Sequence, residues 1–91
     1  MTIDEKCETA EINSPITGIF HDREDSGKND SRPYVTIGSH VIPEAIVCDV
    51  EAVGVKIPVE AGVYGIIKEI LVNPGDAVEY HQILFKITPS K

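Results

Sequence analysis

Gly38-Ser39-His40-Val41-Ile42-Pro43-Glu44-Ala45-Ile46-Val47-Cys48-Asp49-Val50 is echoed 37 residues later by Gly75-Asp76-Ala77-Val78-Glu79-Tyr80-His81-Gln82-Ile83-Leu84-Phe85-Lys86-Ile87. The stretches agree where a fold is shaped: Gly38 with Gly75, Val41 with Val78, Ile46 with Ile83, Val47 with Leu84 and Val50 with Ile87. A second echo, Ile16-Thr17-Gly18-Ile19 against Val63-Tyr64-Gly65-Ile66, runs at an offset of 47, so the first half carries about ten extra residues, which fall in His21 to Arg32. The chain therefore reads as two copies of one four-strand unit, each too small to bury its apolar face alone and so paired face to face with the other. This predicts an all-β fold: a flattened β-barrel or sandwich of two antiparallel four-stranded sheets with pseudo-two-fold symmetry. The junction between copies, near residues 51–57, becomes an exposed hairpin with Gly54 at its centre.

Working outward, short β-branched runs recur at Ile16 to Phe20, Tyr34 to Ile37, Ala45 to Val50, Val55 to Val59, Tyr64 to Val72 and Ile83 to Ile87. Turn residues punctuate them, among them Ser14-Pro15, Arg32-Pro33, Pro43, Gly62 and Asn73-Pro74-Gly75-Asp76, as expected of many short strands. The segment Gly65 to Leu71 has apolar residues at 66, 67, 70 and 71, a helical spacing. It is short and Ile-rich between Gly65 and Pro74, which favours strand.

Composition bounds the class. Ninety-one residues, 42% of them hydrophobic, suffice for one small domain, and no apolar run approaches the roughly 20 residues of a membrane-spanning helix. Residues 1–12 are polar and acidic and are expected to form a loose tail, followed by a domain over 13–88 and a C-terminal tail at 89–91. Met1-Thr2-Ile3-Asp4-Glu5-Lys6 has no basic and apolar leader pattern, so a cytoplasmic location is expected. A net charge of −7 opposes nucleic-acid backbones and anionic lipid surfaces, which recruit clustered Lys and Arg. It leaves open docking onto a basic groove of another protein. Cys7 and Cys48 give neither a disulfide framework nor paired-ligand spacing.

Several spaced motifs, in one order, carry a resemblance. Ser14-Pro15-Ile16-Thr17-Gly18-Ile19-Phe20 resembles an opening Ser-Pro-x-x-Gly-x-Phe strand. Arg32-Pro33-Tyr34-Val35-Thr36-Ile37-Gly38 resembles a Pro-Phe-Val-x-Val-Gly segment that follows a thumb loop, placed here at about 21–32. Glu51-Ala52-Val53-Gly54-Val55 stands where Glu-Ala-Met-Lys-Met is found, and Gly65 and Gly75-Asp76-Ala77-Val78 stand where a Gly and a Gly-x-x-Val motif are found. The chain thus resembles the biotinyl domain of the biotin carboxyl carrier proteins of acetyl-CoA carboxylase, within the biotinyl/lipoyl family. That resemblance implies a barrel-sandwich fold and a hairpin lysine that takes biotin in amide linkage.

The departure from the pattern is chemical. Gly54 at the attachment position has no side chain and accepts neither biotin nor lipoate, and the flanking methionines are replaced by Val53 and Val55. No cofactor is therefore expected. Gly54 still suits the hairpin, because a two-residue type I′ turn needs positive φ at both central residues. Lys56 is the alternative attachment residue, but it lies about 6 to 7 Å along the outgoing strand from position 54 at strand rise; a solvated strand charge is the preferred reading.

Other candidate sites read as structural. Asp22-Arg23-Glu24-Asp25-Ser26-Gly27-Lys28-Asn29-Asp30 imitates the start of an EF-hand, but Pro33 stands where the bidentate Glu is required and the flanking helices are missing, so a polar loop is expected and metal is not. His21, His40 and His81 are single and form no ligand pair. No nucleophile elbow or carboxylate pair is placed by a motif, so an independent active site, and hence an enzyme, is not expected. Asp49, Glu51 and Glu60 would form an acidic patch near the hairpin.

The resemblance, with the lysine missing, implies a non-biotinylated binding or regulatory partner of an acetyl-CoA carboxylase-type complex, with carboxylase subunits as the protein partners. It is similar in logic to the plant biotin-attachment-domain-containing proteins, which lack the lysine and restrain acetyl-CoA carboxylase. The alternatives are a genuine biotin or lipoyl carrier subunit of fatty acid biosynthesis modified elsewhere, as at Lys56, and a freestanding interaction module. Only a short tail precedes Ile12, so association through surface contacts, weak and reversible, is expected.

Overall fold

Alternation of buried and exposed residues within short β-branched runs leaves each strand with one face to hide, and eight such strands close on a shared core. In a computed structural model describing residues 9–23 and 32–90, they are β1 (Ala10–Asn13), β2 (Gly18–His21), β3 (His40–Val41), β4 (Ile46–Ala52), β5 (Val55–Glu60), β6 (Gly65–Ile70), β7 (Ala77–Val78) and β8 (Ile83–Pro89). They form two four-stranded sheets, one ordered β1-β8-β6-β3 and the other β5-β4-β2-β7, with every ladder antiparallel. Among the described residues there is no helix.

The repeat is visible strand by strand. Exchanging β1 with β5, β2 with β6, β3 with β7 and β4 with β8 converts one sheet order into the other. Backbone hydrogen bonds obey the same offsets: Gly38 N donates to Ile67 O as Gly75 N donates to Phe20 O, and Ala61 N to Ala45 O as Ser14 N to Gln82 O. Two glycines match as well. A Cβ on Gly18 would run into the carbonyl oxygen of Glu51 and the side chain of Val50, and one on Gly65 into the carbonyl oxygen of Thr88 and the side chain of Ile87. Each glycine thus lets the first residue of its strand lie flush against a neighbouring strand.

The copies do not stack as separate sheets, however. Each sheet takes two strands from each copy, β1 and β3 joining β6 and β8. Strand exchange of this kind lets each half fill the other's edge, which two self-contained four-strand sheets could not do for one another.

Between the sheets lie Phe20, Val47, Cys48, Val50, Val78, Leu84, Phe85 and Ile87, all essentially without solvent contact. Phe20 and Phe85, one from each sheet, meet at 6.0 Å between ring centroids with a 56° tilt. The helical spacing in Gly65 to Leu71 has its explanation in a bulge at Lys68, where the register with β8 shifts between Ile67 and Glu69. The extra residue puts Ile67 and Ile70 opposite Ile87 and Phe85 on the inner face, so a strand imitates a helix.

Three boundaries differ from the sequence reading. The stretch 1–12 expected as tail contains the start of β1, whose Ile12 is buried and whose residues pair with β8; residues 1–8 lie outside the described residues. Strand β8 runs on to Pro89, inside the expected C-terminal tail. Tyr34 to Ile37 is no strand: Ser39 N donates to Thr36 O, Ser39 Oγ accepts from Thr36 N, and Gly38 has φ 96°, which closes a turn over 36–39. The turn demand of Gly38 overrides the β propensity around it.

Candidate functional site

The β4–β5 hairpin has an exposed tip, with Val53, Gly54 and Val55 all open to solvent. Ala52 pairs with Val55, leaving Val53 and Gly54 as the two-residue loop. Both have positive φ, 53° and 76°, as a type I′ turn requires. Gly54 adopts this at no steric cost, and a Cβ built on it meets nothing within 4 Å. Val53 is a different matter. It is β-branched, it is 100% exposed, and the left-handed region is unfavourable for such a residue.

Down the hairpin, alternate residues of β4 face outward. Val50 and Cys48 point into the core, so Asp49 and Glu51 lie on the outer face with their partners Pro58 and Lys56. On that face β2 adds Ile19 opposite Glu51 and His21 opposite Asp49. His21 Nε2 lies 2.8 Å from Glu51 Oε1, a diagonal cross-strand pair. Asp49 is only 7% exposed because Tyr34 covers it, the phenol donating to Asp49 Oδ2 at 2.7 Å. Burying a carboxylate without a donor is costly, so this bond holds the segment after the loop against the hairpin.

The expected thumb is closed at its base by an antiparallel bridge between Arg23 and Pro33, with Tyr34 N donating to Asp22 O at 2.9 Å. The loop sits at the insertion that separates the two offsets; its tip, including most of the EF-hand-like run, lies outside the described residues. Arg23 Nε is 2.9 Å from Asp22 Oδ1.

The sequence-predicted site residues fall as follows. Glu51, Ala52, Val53, Gly54 and Val55 sit together at the hairpin end, with Val53 and Val55 exposed. Lys56 is half-buried on the outer face beside Glu51. The acidic patch does not form: Glu60 pairs with Ile46 at the far end of the hairpin, about 17 Å of strand away from Val55, Asp49 is covered, and Glu51 is engaged by His21. Among the described residues no three of His, Cys, Asp and Glu gather as a metal site, and they enclose no pocket.

His21 and His81 read from the sequence as single histidines without a ligand pair; their contacts, and that of Tyr34, are not legible there, because the partners of Tyr34 and His21 stand 15 and 30 residues away. His81 holds φ 73° and stacks on Tyr80 at 3.8 Å between ring centroids. Tyr80 N donates to Thr17 Oγ1 at 3.2 Å, which places this stack beside β2, one strand from the hairpin. The two non-glycine residues with left-handed φ among the described residues, Val53 and His81, are therefore at the same end of the molecule.

A hairpin at the junction of two interleaved four-strand copies, with a thumb insertion in the first, defines a class. The biotin/lipoyl family, described as biotin-requiring enzyme, matches residues 10–87, and the chain belongs to that family. Within it the chain is similar to biotin carboxyl carrier proteins of acetyl-CoA carboxylase. That of Chlamydia pneumoniae is 40% identical over 76 residues, covering 84% of this chain and 44% of the relative. That of a Nostoc species is 37% identical over 87 residues, 96% of this chain and 45% of the relative, and that of Cyanidium caldarium 35% identical over 83, 91% and 53%. The chain spans about half the length of the curated relatives it matches. It is a biotin carboxyl carrier protein-like domain.

Proposed function

We propose that this domain takes a carrier's position in an acetyl-CoA carboxylase-type assembly without bearing biotin at its hairpin. The observation that supports this reading is the composition of the turn. Amide attachment of biotin needs a primary amine in reach of a ligase, and the two residues that make the loop, Val53 and Gly54, offer none. The residues present at the tip do not fit the group. Gly54 stands at the family's attachment position, and Lys56, half-buried on the outer face beside Glu51, is a poor substitute. The domain is a non-catalytic protein of the cytoplasm whose partners are carboxylase subunits.

Its effect is competition. A carrier-like domain that occupies a subunit but accepts no carboxyl group lowers the fraction of productive complexes in proportion to its own occupancy, following ordinary mass action. The test has two parts. Intact mass of the protein co-expressed with its own biotin ligase is expected to show no added biotin; one biotin mapped to Lys56 would make the chain a carrier and overturn the reading. Affinity capture at physiological salt is expected to retain carboxylase subunits, and failure to retain any would remove the assembly role.

A further inference from the structure

We infer that Pro58 closes the free edge of the hairpin's sheet and so keeps β5 from pairing with a second copy of this chain. Strand β5 ends the order β5-β4-β2-β7, and among the described residues no strand lies along its outer side. Sheet edges of this length offer a row of backbone donors and acceptors to any extended segment that meets them. At six residues, β5 is the longest of the four strands that end a sheet; β1 has four, β3 and β7 two each.

The hairpin register says which way each β5 residue points its backbone. A two-residue turn is flanked by a hydrogen-bonded pair, here Ala52 with Val55, and bonded and non-bonded pairs alternate from there. Glu51 with Lys56 is non-bonded, Val50 with Ile57 bonded, and Asp49 with Pro58 non-bonded. The backbone nitrogen of position 58 therefore faces the open edge, in the body of the strand. Proline has no N–H to give there, and its ring occupies the space where a neighbouring carbonyl would approach.

The pseudo-symmetry sharpens the point. Position 58 corresponds to Glu11 in β1 at the offset of 47, and Glu11 faces Lys86 as Pro58 faces Asp49. The shorter edge keeps its donor and carries a charge, whereas the longer edge has lost its donor. Flanking Pro58 are Ile57, half-buried opposite Val50, and Val59, buried opposite Cys48, so the strand is apolar enough to stick if its donor were restored.

Size-exclusion chromatography with light scattering, run on the wild-type chain, P58V and P58S over a concentration series, tests this. Both variants restore the N–H at an exposed position with no inward contact to lose, and both are expected to fold with unchanged far-UV dichroism. Relative to wild type, each is expected to tighten self-association at least about tenfold, the effect of a pair of added backbone hydrogen bonds. Amide exchange should slow at position 58 in the associated form. Three results overturn the inference: both variants associating no more than wild type, P58V associating while P58S does not, which traces the effect to an apolar side chain, or both failing to fold, which gives Pro58 a structural role instead.

Discussion

Replacing Val53 by asparagine should make this protein more stable, although Val53 is an apolar residue in a β-rich fold. Two features of the tip decide this. Val53 has φ 53°, a conformation that costs an ordinary L-residue about 1–2 kcal/mol and a β-branched one no less. Its side chain is 100% exposed, so no buried area is lost on substitution. Asparagine tolerates the left-handed region, and Asn-Gly is the preferred pair for a type I′ turn. The expected gain is about 1 kcal/mol, which for a domain of 60–100 residues raises Tm by about 4–8 °C. Urea unfolding should show a higher midpoint at constant slope, since the area exposed on unfolding does not change. Val53→Gly should gain less, because glycine also frees the unfolded chain. The order Asn above Gly above Val is the signature; a V53N midpoint equal to or below wild type would refute the claim that the tip is strained. The other non-glycine residue with left-handed φ among the described residues, His81, lies at the same end of the molecule.

Gly54→Lys, combined with V53M and V55M, should accept one biotin from a biotin ligase by intact mass, because a Cβ at 54 meets nothing within 4 Å; the lysine should cost about 1 kcal/mol for its φ of 76°. Tyr34→Phe removes the donor to the buried Asp49 carboxylate and should destabilise by about 1–3 kcal/mol in chemical denaturation, whereas Y34F in a D49A background should cost much less. Gly18→Ala and Gly65→Ala should each lower stability by about 1–3 kcal/mol, since either Cβ collides with the backbone of an adjacent strand; equal midpoints for the two variants and wild type would contradict the close approach. Burial, and secondarily the Asp49 charge, pushes the Cys48 thiol up to about 12. The unfolded chain ionises this thiol at lower pH than the folded one, so the associated stability is full below about pH 9, falls as pH rises from there, and is gone near 12. A native-state thiol assay at pH 8 should show no reaction at Cys48 until the protein unfolds.

The amino-acid sequence by itself determined the number of copies, strands β2, β4, β5, β6 and β8, and the hairpin turn. The matches Val41 with Val78, Val47 with Leu84 and Val50 with Ile87 are core positions in both halves, because a repeat that buries the same face twice must keep aliphatic side chains there. The insertion after His21 was legible as a change of offset, and Gly54 as a residue that suits positive φ. Strands β3 and β7 were not legible, since two residues carry no periodicity, and neither was β1, whose four residues begin in the acidic stretch read as tail. Nor was the bulge at Lys68, which disguised a strand as a helix.

Tertiary structure alone decided that the copies share their sheets, because antiparallel pairing across the copies fills edges that neither could fill for itself. It also decided the fate of the charges around the hairpin. Whether Asp49 is a solvated carboxylate or a covered one depends on Tyr34, and whether Glu51 is free depends on the register that sets His21 diagonal to it. Such partners are chosen by strand order and register, which distances along the chain do not encode. At the tip the two levels meet: sequence supplied a valine and a glycine where no amine can be offered, and folding put them into the same left-handed turn at the exposed end of the molecule.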